Sequence, residues 1–322
     1  MPYTLPSSLP MDRLIKVWEP AEEALARLDQ ALAGSALKGA WLARADFEEA
    51  AASLWIEGEL VPFEDLVLDD ASTNARTPTH QLSHARAVLL NRRSLARQGP
   101  RAALTLPGIL ALQERRERLE GPSPEAEALL DQDPNWNTES QIAVWLSFLP
   151  ALQAYPALLA AAIALHAWEG MEPFQRHNAT VGRLLAPALL WQRGKIDGQV
   201  HCLSIGLKKL RWLHKPGRPL EVWIDEFCQA VALAAQQGLK AHQQLQLSEA
   251  LMARRLEGRR RSSRLPDVAR LVLDHPMVSA PMVAAKLKIS QQAAGTLLEE
   301  LVGAGALREL TGRSRFRAFG LA

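Results

Sequence analysis

The chain has 322 residues but only two cysteines, Cys202 and Cys228, too few for a disulfide framework or a multi-cysteine zinc site. It has little net charge, +2, and with 48% apolar residues it lies outside the composition of disordered proteins. It lacks an apolar run of about 18 residues, because Pro156 interrupts the longest candidate, 151–168, so no membrane partner is expected. A basic segment followed by an apolar one is also missing at the start, so we expect no signal peptide and a cytoplasmic location.

Sequence motifs for common enzyme chemistry are missing as well. The chain contains no P-loop, dinucleotide-binding fingerprint, nucleophile elbow or kinase signature. His166 and Glu172 are six residues apart, which does not place them on one helix face as metal ligands. We therefore expect neither a bound metal nor a cofactor.

Helix-forming residues dominate what is present. Alanine, leucine, glutamate, glutamine and arginine are abundant, clusters of β-branched residues are scarce, and apolar residues recur with helical spacing. Proline, glycine, aspartate and asparagine separate the periodic stretches. The pattern predicts an all-α fold with helices near 11–36, 43–57, 79–97, 107–119, 139–150, 155–170, 180–193, 201–213, 219–237 and 241–257.

Charge is distributed unevenly along the chain. Residues 254–322 contain 13 lysines and arginines against 6 acidic residues, whereas the first 253 contain 24 against 29. An arginine-rich stretch with Gly258, Ser262 and Ser263 marks the change. We predict a helical domain at 1–253, a basic linker at 254–264 and a small domain at 265–322, whose basic charge is typical of a nucleic-acid-binding module.

The small domain has a legible layout. Its pattern predicts a first helix at 266–274, a second opened by Ser279 with Pro281 in its first turn, and a third opened by Ser290. The third helix is expected to stop at Gly303 and Gly305. Alternating residues around Thr311 to Ser314 then indicate a β-hairpin.

Three helices and a basic hairpin, including the stretch LLEELVGAGALRELTGRSRFRAF, resemble a winged helix-turn-helix domain. The third helix would present polar residues to the major groove of DNA, and the hairpin, or wing, would present arginines to phosphates or the minor groove. Winged helices also bind proteins, but the basic wing favours DNA. The expected DNA-binding residues are Ser290, Gln291, Gln292, Thr296, Arg313, Arg315 and Arg317.

In the larger domain, residues 165–194 read LHAWEGMEPFQRHNATVGRLLAPALLWQRG and are similar to the signature of Fic (Fic/Doc) domains. Pro173, Phe174, Asn178 and the Gly182-Arg183 pair match that signature. Upstream, residues 53–58 (SLWIEG) resemble the Fic inhibitory helix. In that family the inhibitory glutamate pairs with the second arginine of the signature and blocks placement of the ATP γ-phosphate.

The resemblance assigns these two roles to Glu57 and Arg183, yet the catalytic positions depart from the family. Fic enzymes transfer AMP from ATP to a protein hydroxyl with a histidine base, an acidic Mg²⁺ ligand, two glycines and a first arginine. Here Glu172 stands at the base position and Arg176, which cannot ligate Mg²⁺, at the metal position. His177 and Ala179 replace the glycines, and Thr180 replaces the first arginine. We expect no catalytic residue among these degenerate positions.

The leading hypothesis is a DNA-binding transcriptional regulator, in which a winged helix is joined to a catalytically degenerate Fic-like platform for dimerisation or sensing. One alternative is a divergent Fic enzyme using Glu172 or His177, and another is a scaffold whose winged helix binds protein. A retained Glu57–Arg183 pair is expected to act as a structural clamp, because a buried arginine without a partner is costly. The alternative hypothesis is that the pocket of the Fic-like region still binds a nucleotide or anion.

Overall fold

The computed structural model describes residues 3–5, 9–71, 78–120, 136–198, 201–212, 217–257, 264–311 and 317–322. These residues are mostly helical, with one small antiparallel sheet near the C-terminus. The predicted all-α class with a Fic-like helical region and a winged helix is confirmed. None of the described helices is both long enough and apolar enough to cross a bilayer.

The larger, N-terminal part of the chain contains helices of very different length. They are α1 (Met11–Ala33), α2 (Lys38–Ile56), α3 (Phe63–Asp70), α4 (His80–Gln98), α5 (Pro100–Ala103), α6 (Leu106–Glu120), α7 (Thr138–Phe148), a 3₁₀ helix (Leu149–Ala154), α8 (Ala157–Met171), α9 (Asn178–Gln192), α10 (Leu203–Lys209) and α11 (Leu220–Leu256). The C-terminal part contains α12 (Leu265–Asp274), β1 (Val278–Ser279), α13 (Ala280–Leu287), α14 (Gln291–Gly303), β2 (Leu307–Glu309) and β3 (Ala318–Leu321).

Packing divides the chain into two compact units. The first unit comprises the described residues of 1–30, 48–61 and 78–237, and the second those of 31–47, 62–77 and 238–322. This division follows packing alone, so the domain borders drawn from the sequence at 253 and 265 stay a prediction.

Helix α8 forms the centre of the first unit. It is apolar and buried on every side over its first nine residues, as expected for a helix segment with no polar face. The buried indoles of Trp145 and Trp223 donate to its carbonyls at Ala164 and Ala162, each at 2.7 Å. These bonds satisfy the only polar group of each tryptophan, so two large aromatic rings can be buried at little polar cost.

Close approach between α10 and α11 depends on one glycine. A Cβ added to Gly206 would lie 1.9 Å from the carbonyl oxygen of Ala230. No side chain fits there, so a larger residue would push the two helices apart. The carboxylate of Glu49 also orders α10, because it accepts from the first backbone amides of that helix, Ser204 and Ile205, at 2.8 and 3.0 Å.

The winged helix lies within the second unit. Ser279 and Ser290 cap α13 and α14, since their hydroxyls accept from the amides of Met282 and Ala293. The antiparallel sheet has the order β1-β3-β2. Strand β1 is absent from the sequence prediction because two residues leave no alternating pattern to detect.

The second unit also includes residues from near the beginning of the chain. The guanidinium of Arg44 donates to the carbonyls of Val272, Leu273 and His275, at 2.9, 2.6 and 2.9 Å. These carbonyls lie at the C-terminal end of α12, where a helix leaves its last acceptors unsatisfied. Arg44 on α2 therefore caps the first helix of the winged-helix region.

The prediction of two helices at 219–237 and 241–257 was wrong, because the single helix α11 spans both segments. It continues through Gly238, which is buried and whose carbonyl accepts from the indole of Trp41 at 2.9 Å. Glycine weakens a helix, but a packing contact at that position offsets the cost. The short helices α3 and α5 were not predicted either, and both are too brief to show helical periodicity.

Candidate functional site

The segment similar to the Fic signature forms a turn between α8 and α9. Glu172 ends α8 with φ of 46°, and His177 precedes α9 with φ of 58°. Left-handed backbone is uncommon for residues other than glycine. The family has glycine where His177 stands, so this backbone keeps a glycine conformation although the side chain has changed. Glu172 is exposed, and His177 is half-buried.

Asn178 holds this turn together from inside. Its side-chain oxygen accepts from the amide of Phe174 at 3.2 Å, and its side-chain nitrogen donates to the carbonyl of Trp168 at 3.3 Å. The indole of Trp168 donates back to the carbonyl of Asn178 at 2.8 Å. Two of the signature residues that this chain retains, Phe174 and Asn178, thus help to shape the turn.

The structure brings Glu57 and Arg183 together. Nη2 of Arg183 lies 2.6 Å from Oε1 of Glu57, and within hydrogen-bonding distance of Ser53 and Thr180. The Arg183 side chain is 3% exposed and that of Glu57 is 29% exposed. Thr180, which replaces the first signature arginine, donates to Glu57 at 3.4 Å. Nη1 of Arg183 is buried and has no hydrogen-bond partner among the described residues.

Two histidines meet beside this pair. The ring of His84, fully buried on α4, packs edge-on against the ring of His177 with centroids 4.4 Å apart. Nδ1 of His84 donates to Oε1 of Glu59 at 3.0 Å, while its Nε2 is buried without a partner in the described part of the chain. The ring of His80, one turn earlier on α4, lies 6.2 Å from that of His84.

Burial and neighbouring positive charges keep both imidazoles neutral. Burial, followed by the charges of Arg116, His80 and Arg183, lowers the pKa of His84 to about 3. Burial is also the largest cause for His177, whose pKa is lowered to about 2. The further causes for His177 are the charges of Arg116, His84, Arg176 and His80. The contact between His84 and Glu59 is therefore a hydrogen bond from a neutral ring.

Sequence reasoning missed His80, His84, Glu59 and Arg116. The spacing of the two histidines, i and i+4 on one helix face, was a visible signal, although a weak one. Arg116 lies on α6 and gives no local signal, because it joins the cluster only through the packing of the unit.

The Mg²⁺ that the Fic fold implies does not fit the residues present. Its carboxylate position is taken by Arg176, a permanent cation with no acceptor atom. Among the described residues, no group of three or more histidine, cysteine, aspartate or glutamate side chains is arranged to hold a metal ion. No step is therefore assigned to a metal at this turn.

The predicted DNA-reading residues lie at the start of α14. Ser290, Gln291, Gln292 and Thr296 are exposed, whereas Ala294 and Leu298 on the opposite side are buried in the core of the winged helix. The Thr296 hydroxyl donates to the carbonyl of Gln292 at 3.1 Å. Both glutamine side chains thus project from a capped, rigid helix start.

Of the three predicted wing arginines, Arg317 lies within the described residues. Arg313 and Arg315 lie outside the described residues. Arg317 donates through Nε to Glu309 at 2.7 Å, donates through Nη1 to Glu299, and lies over the ring of Phe319. Hydrogen bonds to Glu309 and then Glu299 raise the pKa of Arg317. Its charge is therefore compensated within the domain.

Comparisons with known proteins give separate matches for the Fic-like region and for the winged helix. Residues 130–257 match a family described as "Protein of unknown function (DUF1612)", and residues 265–322 match an "HTH DNA binding domain". The fold is similar to the crystal structure of a Fic family protein from Desulfovibrio desulfuricans G20, with a TM-score of 0.51 and 14% identity. That superposition covers 100% of this chain and 98% of the other, and at this identity it shows the fold alone.

A curated relative is similar along nearly its whole length. The chain is 33% identical over 369 aligned positions to the uncharacterized protein y4cF of Sinorhizobium fredii (strain NBRC 101917 / NGR234). The alignment covers 94% of this chain and 96% of that protein. The chain therefore belongs to the y4cF family, and it combines a Fic-like helical fold with a C-terminal helix-turn-helix DNA-binding domain.

Proposed function

We propose that this protein is a transcriptional regulator that acts in the cytoplasm, with a Fic-like region that senses a ligand or mediates dimerisation. The observation that carries the proposal is the capped start of α14, with exposed Gln291 and Gln292, inside a matched DNA-binding domain. Side-chain amides can pair with the N6 and N7 groups of adenine in the major groove. Ser290 and Thr296 flank them and add hydroxyl contacts.

The wing supplies the sequence-independent part of DNA binding in this proposal. Arg313 and Arg315 would neutralise phosphates and release counterions, which makes binding depend on salt. Arg317 is assigned to the same surface, but Glu299 and Glu309 already compensate its charge. We therefore expect Arg317 to orient the wing more than to attract DNA.

The Fic-like region is proposed to lack AMP transfer. A carboxylate such as Glu172 beside the phosphates would add negative charge where ATP brings several. His177, the other candidate base, is packed against His84 and belongs to the turn. The Glu57–Arg183 pair then serves as a clamp between the end of α2 and α9. A homodimer would place two α14 helices at two DNA half-sites.

Binding to duplex DNA followed against salt tests the proposal. The wild-type protein should bind random-sequence DNA more weakly as salt rises, and a selected site more tightly than random DNA. The Gln291→Ala, Gln292→Ala variant should lose the preference and keep the salt dependence. Absence of DNA binding at low salt would contradict the regulator and favour the protein-binding scaffold.

The competing hypothesis, a divergent Fic enzyme, is tested on the same preparation. Incubation with labelled ATP and Mg²⁺ should leave the protein and added cell proteins unlabelled. Labelling that disappears in Glu172→Gln or His177→Gly would instead identify a divergent transferase.

A further inference from the structure

We propose that His80, His84, Arg116, Arg176, His177 and Arg183, here called the His/Arg cluster, bind a phosphate-type oxyanion without a divalent metal ion. This inference rests on the proposed sensing role of the Fic-like region, and it names the class of ligand. A magnesium-bound nucleotide, the ligand that the Fic fold implies, is what the cluster is unsuited to hold.

Unused hydrogen-bonding groups are the first observation. Within the described residues, the buried Nη1 of Arg183 and the buried Nε2 of His84 have no hydrogen-bond partner. Buried polar groups nearly always have partners, and leaving one unsatisfied costs about 1–3 kcal/mol. Nη2 of Arg183 alone contacts Glu57, so Nη1 can donate to a ligand while that pair stays intact.

Positive charge around the two rings is the second observation. Arg116 and Arg183 act on His84, and Arg116 and Arg176 act on His177, which places three guanidinium groups around the imidazole pair. The facing carboxylates are Glu59, on His84, and Glu57, on Arg183. The charges of three arginines thus act on the imidazole pair, at the positive end of the 15-residue helix α9.

Protonation would complete the set of donors. Nδ1 of His84 already donates to Glu59, so a proton added to the ring would turn Nε2 into a second donor. An oxyanion beside the ring favours the charged imidazole, because it offsets the arginine charges that now disfavour it. Anion binding should therefore raise the pKa of His84 and become tighter as pH falls toward its lowered value of about 3.

The outer residues of the cluster are in contact with solvent. His80 is exposed, and Arg176 and His177 are half-buried, so the cluster extends from solvent to the buried His84 and Arg183. Arg176 excludes a Mg²⁺ ion from the cluster by charge.

Isothermal titration calorimetry on the full chain tests the inference. Inorganic phosphate, AMP and ATP would each be titrated in EDTA, and ATP also with Mg²⁺, at constant ionic strength and at pH 6, 7 and 8. We expect phosphate to bind, and to bind most tightly at pH 6. AMP binding more tightly than phosphate would identify the ligand as a nucleotide phosphate, and equal affinities a free oxyanion.

Matched variants locate the binding. His177→Gly removes the imidazole at φ of 58°, a backbone that glycine adopts without strain, and should weaken phosphate binding about tenfold. Arg211→Gly is the control, because Arg211 is exposed and also has positive φ (51°) but lies outside the cluster. Its affinity should equal that of the wild type. Arg176→Gln provides a second cluster variant and should also bind more weakly.

Each outcome decides between the cluster and its alternatives. No phosphate binding to folded wild-type protein, equal binding by His177→Gly and wild type, or binding only of ATP with Mg²⁺ would overturn the inference. DNA binding is measured on the same preparation. Loss of anion binding with DNA binding intact refutes the His/Arg cluster alone, whereas anion binding without DNA binding refutes the regulator alone.

Discussion

Arg183 and Arg317 are each paired with glutamate, yet they lie in very different surroundings. The Arg183 side chain is 3% exposed and contacts Glu57, Ser53 and Thr180, whereas that of Arg317 is 39% exposed and lies between Glu299 and Glu309. A buried ion pair that loses one partner leaves a desolvated charge, but an exposed pair is solvated and screened by salt. The same pairing should therefore stabilise the first region strongly and the second weakly.

The largest effect is expected when Glu57 is changed. Glu57→Ala leaves the buried Arg183 without its carboxylate, so the free energy of unfolding should fall by about 3 kcal/mol. Glu57→Gln keeps a neutral acceptor, so its free energy of unfolding should fall less. Denaturant unfolding measures both. If Glu57→Ala is as stable as wild type, burial does not distinguish the two arginines. If it transfers AMP, the pair is an inhibitory lock on an active enzyme.

Arg44 is intermediate between these two arginines, because it is half-buried and its partners in α12 are carbonyls. Arg44→Ala removes charge-assisted hydrogen bonds at the C-terminal end of that helix and should cost about 2 kcal/mol. Exposed Arg13 on α1 is the control, and Arg13→Ala should unfold like the wild type. A loss below that of Arg317→Ala would show that solvent exposure is not what decides these energies.

Sequence readout should be separable from these stabilising pairs. Gln291→Ala and Gln292→Ala remove exposed side chains, so thermal stability should be unchanged. Discrimination between a preferred DNA site and a one-base variant should fall by about 1–3 kcal/mol at a position that either amide reads. Competition binding with duplexes of single changed bases measures this. An equal loss on every duplex would assign the glutamines to backbone contacts.

The smallest effects are expected on the wing. Arg317→Ala should change stability by about 0–1 kcal/mol and lower the salt slope of DNA binding little, because its charge is already compensated. Arg315→Ala should reduce that slope by about 1 and weaken binding to all sequences alike. Equal slopes for the two variants would mean that Arg317 leaves its glutamates to reach phosphate.

Local patterns predicted the winged helix well. Ser279 and Ser290 act as caps where the sequence placed them, since a cap needs only a hydroxyl and the following amides. Helix α11 was divided at Gly238 because no local pattern reveals the distant indole of Trp41 that packs there. Caps are short-range signals, and helix packing is not.

The Fic-like region was predictable only through its resemblance to a known signature. Composition and periodicity indicate buried helices there, but they do not single out Glu57 or Arg183. The His/Arg cluster had no such guide, because His84 and Arg116 stand on separate helices and match no motif. A cluster of this kind becomes visible only when burial and distance are known.

The cap that Arg44 places on α12 has a consequence for how the protein is made. Residues 31–47 leave the ribosome well before their partners in the second unit, 238–322, are translated. Until then Arg44 has no helix end to cap, and the apolar surface of this early segment stays uncovered. Pairings so distant along the chain are slow to form, and exposed segments that wait for them are prone to aggregate. During synthesis, this early segment is therefore where a chaperone would be needed.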